Sequence, residues 1–203
     1  MTPDEARKQY EEALAALPPE LQEVMRQLSA SARPLPTVTA LSRSQLDALS
    51  PEDLEPAVVD YIARVLAPEN DRVAALRKFP RGVQVFYLSF LVEAEVANGG
   101  FHQFFWNSSS EFSELIAPAL IDLGAPRAAT IFEQALAVAE SEIPQQSVPR
   151  SQDTLEVFAS MYETTGLNQF DEPFSTESQA FPVLRRQVIA ENEPTFFRSD
   201  SEA

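Results

Sequence analysis

The chain of 203 residues has no cysteine, a single histidine, a single tryptophan and only five glycines. Without cysteine there is neither a disulfide framework nor a thiolate metal ligand, and one histidine excludes most zinc and copper arrangements. No metal and no cofactor is therefore expected. The shortage of glycine argues against a β-rich, loop-dominated protein, and no alternating strand pattern survives comparison with a helical reading. No uninterrupted apolar run reaches the eighteen residues a membrane helix needs. The first residues, MTPDEARKQYEEAL, lack an apolar core followed by a cleavage site. A soluble, cytoplasmic protein is expected.

Positive charge is scarce as well. Fifteen bases face thirty-one acids, a net charge of −16, and the imbalance grows along the chain. Residues 1–43 hold six acids and five bases, whereas residues 151–203 hold ten and three. A field of this sign repels nucleic acid and anionic membrane and attracts basic proteins. It also serves solubility, with no partner implied. The most basic stretch, with Arg72, Arg77, Lys78 and Arg81, lacks the aromatic groups of a nucleic-acid site and is expected to pair within the molecule.

What is abundant is apolar residues, 44% of the chain, at helical spacing, together with sixteen prolines that punctuate helices. The pattern predicts an all-α, multihelical single globular domain over residues 38–203 with a helical N-terminal arm over residues 1–37. In the arm, helices are expected over 3–17 and 20–32, followed by the proline-rich linker RPLPT. Ser50-Pro51-Glu52-Asp53 is a helix start, with cap, proline and acids in order, and the stripe Leu54, Val58, Tyr61, Ile62, Val65 follows it. Asp53, Glu55 and Asp60 are expected on the outside. Further helices are expected over 69–78, 110–123 (closed by Gly124), 126–139, 153–165 and 177–197, with irregular chain over 167–177.

The stretch VQVFYLSFLVEAEVANGGFHQFFWN, Val83–Asn107, organises the rest. Its first fifteen residues are polar only at Gln84, Ser89, Glu93 and Glu95, so this helix is covered on two faces and runs through the middle of the domain. Gly99 and Gly100 end it and turn the chain. A short aromatic helix follows, with Phe101, Phe104 and Phe105 packing back onto the first.

Glu95, Asn98, Gly99, Gly100, Phe101, Gln103, Phe104, Phe105 and Asn107 form a pattern that resembles the E-x-x-N-G-G-F-x-Q-F-F-x-N signature of the family named after DNA mimic protein nineteen. The resemblance extends over about residues 67–197. It implies a non-enzymatic, acidic interaction protein in transcription regulation, one that imitates DNA and occupies the DNA-binding surface of a basic partner such as a transcription factor. Neither nucleic acid nor membrane is bound directly in this reading. Candidate partner-binding acids are Glu52, Asp53, Asp60, Glu156, Glu163, Asp171, Glu172, Glu177, Glu191 and Glu193, all expected to be exposed.

Two further readings stand beside it. The polar signature residues Glu95, Asn98, Gln103 and Asn107 either satisfy backbone groups freed at the helix break or line a small pocket of an enzyme or ligand sensor. In the pocket reading, His102 with Glu93 or Glu95 would be an acid/base pair, although a histidine in an aromatic helix is more often packed. The third reading is a structural module, a homodimer through the aromatic helices or the arm.

Overall fold

A computed structural model of the chain describes residues 35–142 and 165–191, with Pro18 and Gln22 beside them. The expected helices over 3–17 and 20–32 and nearly all of the one over 153–165 lie outside the described residues, as do Glu156, Glu163 and Glu193. The chain divides between Pro36 and Thr37, and every described helix belongs to the unit that begins at Thr37. Among the described residues there are eight α-helices and no strand. The expected all-helical class is the observed one.

The elements are α1 (Arg43–Asp47), α2 (Pro51–Leu66), α3 (Arg72–Leu76), α4 (Arg81–Trp106), α5 (Ser113–Asp122), α6 (Pro126–Glu142), α7 (Asp171–Ser178) and α8 (Phe181–Glu191), with 3-10 turns over Ser108–Phe112 and Gly166–Phe170. Helix α2 starts as its sequence dictates. Ser50 caps it, Pro51 occupies the first position, and the Ser50 hydroxyl accepts from the Asp53 N–H at 3.2 Å while donating to Asp53 Oδ2 at 2.8 Å. That reciprocal contact turns Asp53 inward, to 5% exposure, correcting its expected place outside. Asp71 caps α3 through the Ala74 N–H. Helix α5 ends in a Schellman motif: Gly124 has φ 89°, its N–H reaches the Ile121 carbonyl, and the Ala125 N–H reaches that of Leu120.

Helix α4 is the axis of the fold, packed against α2, α5, α7, α8 and both 3-10 turns. Val83, Phe86, Leu88 and Val92 are wholly buried, and the buried Ser89 hydroxyl is satisfied by the Phe86 carbonyl. The small faces of α5 and α6, with Ala119, Ala128, Ala129 and Ala135 buried, let these two helices pack closely. Segment 167–177, expected to be irregular, is instead the second 3-10 turn followed by α7, because Phe170 and Phe174 anchor it to Phe101. The expected helix over 177–197 starts only at Phe181, since Gln179 and Ala180 separate α7 from α8.

Candidate functional site: the kinked helix and its polar clasp

The glycine pair breaks α4, as expected, into two helical halves that meet at a kink. Gly99 is extended (φ −161°), whereas Gly100, at φ 71° and ψ −178°, occupies a region essentially reserved for glycine. The kink frees backbone donors of the aromatic half, Phe101–Trp106. One of them, the Phe101 N–H, is accepted by Asp171 Oδ1 at 2.8 Å from the start of α7. Burial pushes the Asp171 carboxyl above the ordinary aspartate range, opposed by this backbone hydrogen bond. Asp171, expected as an exposed partner-binding acid, is thus a half-buried cap.

Downstream of the kink Phe101 is fully buried, its ring centroid 5.1 Å from that of Phe174, 6.0 Å from Phe132 and 6.2 Å from Phe105. Phe104 and Phe105 complete the cluster against Phe132. Such ring pairs contribute about 0.5–1.5 kcal/mol each beyond their buried area. The aromatic half-helix is therefore a core element.

Glu95 gathers the other polar signature residues. Its Oε2 accepts from Gln103 Nε2 and Asn107 Nδ2, each at 2.9 Å, and its Oε1 accepts from the Ser109 hydroxyl. This clasp joins both halves of α4 and the following 3-10 turn through side chains. The backbone capping expected of these residues is supplied at Phe101 by Asp171. Asn98 is exposed, outside the clasp.

The clasp residues help line a groove of about 530 Å³ between α2 and α4, with Val59, Ala63, Tyr87, Phe90, Leu91 and Ala94 as apolar lining and Glu95, Asn98, Gln103 and Asn107 as polar lining. His102 does not line it. Its buried ring lies 5.9 Å from that of Trp106. Glu93 is committed to Arg185 Nη1 at 2.7 Å and Glu95 to the clasp, and His102 is buried beside Trp106, the packed placement that a histidine in an aromatic helix more often takes.

Sequence reasoning passed over Arg185. This guanidinium, 1% exposed on α8, binds Glu93 on α4 and Glu55 Oε2 on α2 at 2.8 Å, and lies 5.4 Å from the Phe90 ring centroid. Glu55, expected outside, is drawn inward by it. Burial raises the Glu93 carboxyl above its ordinary value, and Arg185 pulls it partly back down. An arginine between the apolar Leu184 and Val188 was the available signal: at helical spacing it sits on the inner face.

Of the other candidate acids, Glu52, Glu172 and Glu191 are exposed, Asp60 pairs with Arg64, and Glu177 stands 3.9 Å from Arg127. Glu114, Glu133 and Glu140 are exposed acids that the candidate set omits. The basic stretch pairs internally at two positions, Arg72 with Glu111 and Arg81 with Asp122. No group of three or more metal-ligating side chains occurs among the described residues, and no helix among them is long and apolar enough to cross a membrane.

Fold and site together define an all-helical acidic protein whose central helix is kinked at a glycine pair and held by a carboxylate clasp. Residues 77–192, more than half of the chain, match the family model described as DMP19-like protein, and the chain belongs to this family. No curated protein and no solved structure matches it.

Proposed function

We propose that the protein is an acidic interaction protein that acts as a DNA mimic, occupying the DNA-binding surface of a basic partner such as a transcription factor. The carrying observation is how charge is spent. Arg43, Arg64, Arg72, Arg81, Arg127 and Arg185 each lie within salt-bridge reach of a carboxylate of the same chain. Glu52, Glu114, Glu133, Glu140, Glu172 and Glu191 are exposed and make no ion pair among the described residues. These six unpaired acids turn part of the chain's net charge of −16 toward solvent. Family membership supports the same reading.

Duplex DNA carries a negative charge about every 3.4 Å along each strand. Glu133 and Glu140 share the outer face of α6, separated by a rise of about 10 Å. One helix is too sparse to imitate a strand, so a mimic has to combine acids from several elements. The test is capture of partners from host lysate on the immobilised protein, with elution by salt and competition by duplex DNA. Recovery of a DNA-binding protein released by both is the expected result. Partners indifferent to salt and to DNA would refute the proposal.

A further inference from the structure

The groove between α2 and α4 has a chemistry that the acidic surface does not account for. Its walls are mostly apolar, and its polar lining is Glu95, Asn98, Gln103 and Asn107. Glu95 is a carboxylate, which accepts only. Gln103 and Asn107 both donate to it, and since only an amide NH₂ can do so, their orientation is fixed chemically. Their carbonyl oxygens are then left as acceptors.

Charge points the same way. Three neutral donors occupy about three of the roughly four lone-pair positions of the Glu95 carboxylate, leaving one open. Among the described residues no lysine or arginine lines the groove. Arg72, whose charge with that of Glu95 reaches the Tyr87 hydroxyl, is itself paired with Glu111 rather than with Glu95. A partly buried carboxylate held only by neutral donors favours a cation far more than an exposed one does, because apolar walls weaken solvent screening.

We infer that the groove is a binding site for a small organic cation, an ammonium or guanidinium carried on an apolar body. The cationic head donates to Glu95 and to the carbonyls of Gln103 and Asn107, and the body lies along Phe90 and Leu91. The volume of about 530 Å³ is in the range of sites for small molecules. Asn98, exposed at the rim, supplies an amide beside the head group.

The test is calorimetric titration of the full chain with 2-phenylethylamine and with its neutral counterpart 2-phenylethanol. The amine is expected to bind at least roughly tenfold more tightly, the factor that about 1.4 kcal/mol of charge-assisted interaction produces. Ala94→Trp fills the groove from an exposed position, leaves the clasp intact, and is expected to abolish amine binding with thermal stability unchanged. Should Ala94→Trp fail to fold, Ala63→Trp, exposed on the opposite wall, takes its place. Equal affinity for the alcohol, or no binding of the amine, overturns the inference. So does amine binding that survives the tryptophan, since that is attraction to net charge alone. A third arm titrates the peptide acetyl-Leu-Arg-Leu-amide, and binding of the peptide without the free amine would overturn the assignment to a small molecule.

Discussion

Gly100→Ala is the substitution on which the account of the kink stands or falls. At φ 71° and ψ −178° an alanine is strained by about 1–3 kcal/mol, whatever space surrounds it. The space is also taken: an ideal Cβ on Gly100 would meet the carboxylate of Asp171, with Cγ only 2.9 Å away. Asp171 then has to withdraw from the Phe101 N–H, and losing such a cap costs about 0.5–2 kcal/mol. Together the variant is expected to lose about 2–4 kcal/mol. For a chain of this size each kcal/mol is worth about 2–4 °C, so melting should fall by roughly 5–15 °C. Urea denaturation followed by circular dichroism would read the shift in midpoint at constant slope. Gly99→Ala is the internal control. Its extended φ of −161° suits any residue, and a Cβ there meets chiefly the flexible Gln103 side chain. It should cost about 1 kcal/mol, the worth of one disturbed hydrogen bond in the clasp. The double variant Gly100→Ala/Asp171→Ala should cost less than the sum of its parts, because the clash and the cap are one interaction. A Gly100→Ala protein as stable as Gly99→Ala, or strict additivity in the double variant, would refute the reasoning.

Other expectations follow from the same geometry. Arg185→Met leaves Glu55 and Glu93 half-buried without their cation and should destabilise by about 2–4 kcal/mol, whereas adding Glu55→Gln and Glu93→Gln should restore most of the loss; chemical denaturation of both variants decides. Glu95→Ala strands the donors of Gln103, Asn107 and Ser109 and should cost about 1–3 kcal/mol, while Asn98→Ala should stay within about 0.5 kcal/mol; equal effects would contradict the clasp. Because burial raises the folded-state pKa of Asp171, its contribution to stability should grow as pH falls through that raised value and be complete below the ordinary aspartate value near 4. Asp171→Asn should remove this increment, so the stability difference between wild type and variant should widen toward acid; a difference independent of pH would be the contrary result.

The central helix and its break were legible because their causes are local: apolar residues on two faces, then two glycines. Helix starts such as Ser50-Pro51 were legible for the same reason. What escaped was every role assigned by a distant partner. Asp171 reads as one more acid in a polar segment until Phe101, seventy positions earlier, is brought beside it. Glu55 and Arg185 lie 130 positions apart, and neither betrays the other. Asp53 was misread for a subtler reason, since an acid in the first turn ordinarily faces solvent, whereas here it bonds Ser50 and is buried. Of the candidate pocket, sequence supplied Glu95, Asn98, Gln103 and Asn107, while His102, set beside them in one reading, lies outside the groove lining. Adjacency to a kink does not say which way a ring points. Glu133 and Glu140 lie on the outer face of α6, opposite its buried Ala128, Ala135 and Ala139.

The hydrogen bond from Phe101 to Asp171 bears on the order in which the molecule assembles. A helix that could start by itself would form within microseconds, but the aromatic half of α4 lacks a local cap and waits for α7 to arrive. Closing a loop of seventy residues is entropically costly before the contacts it enables exist. The aromatic cluster therefore belongs to the late stage of folding, when α7 docks on α4, and mutations at Phe101 or Asp171 should speed unfolding far more than they slow folding.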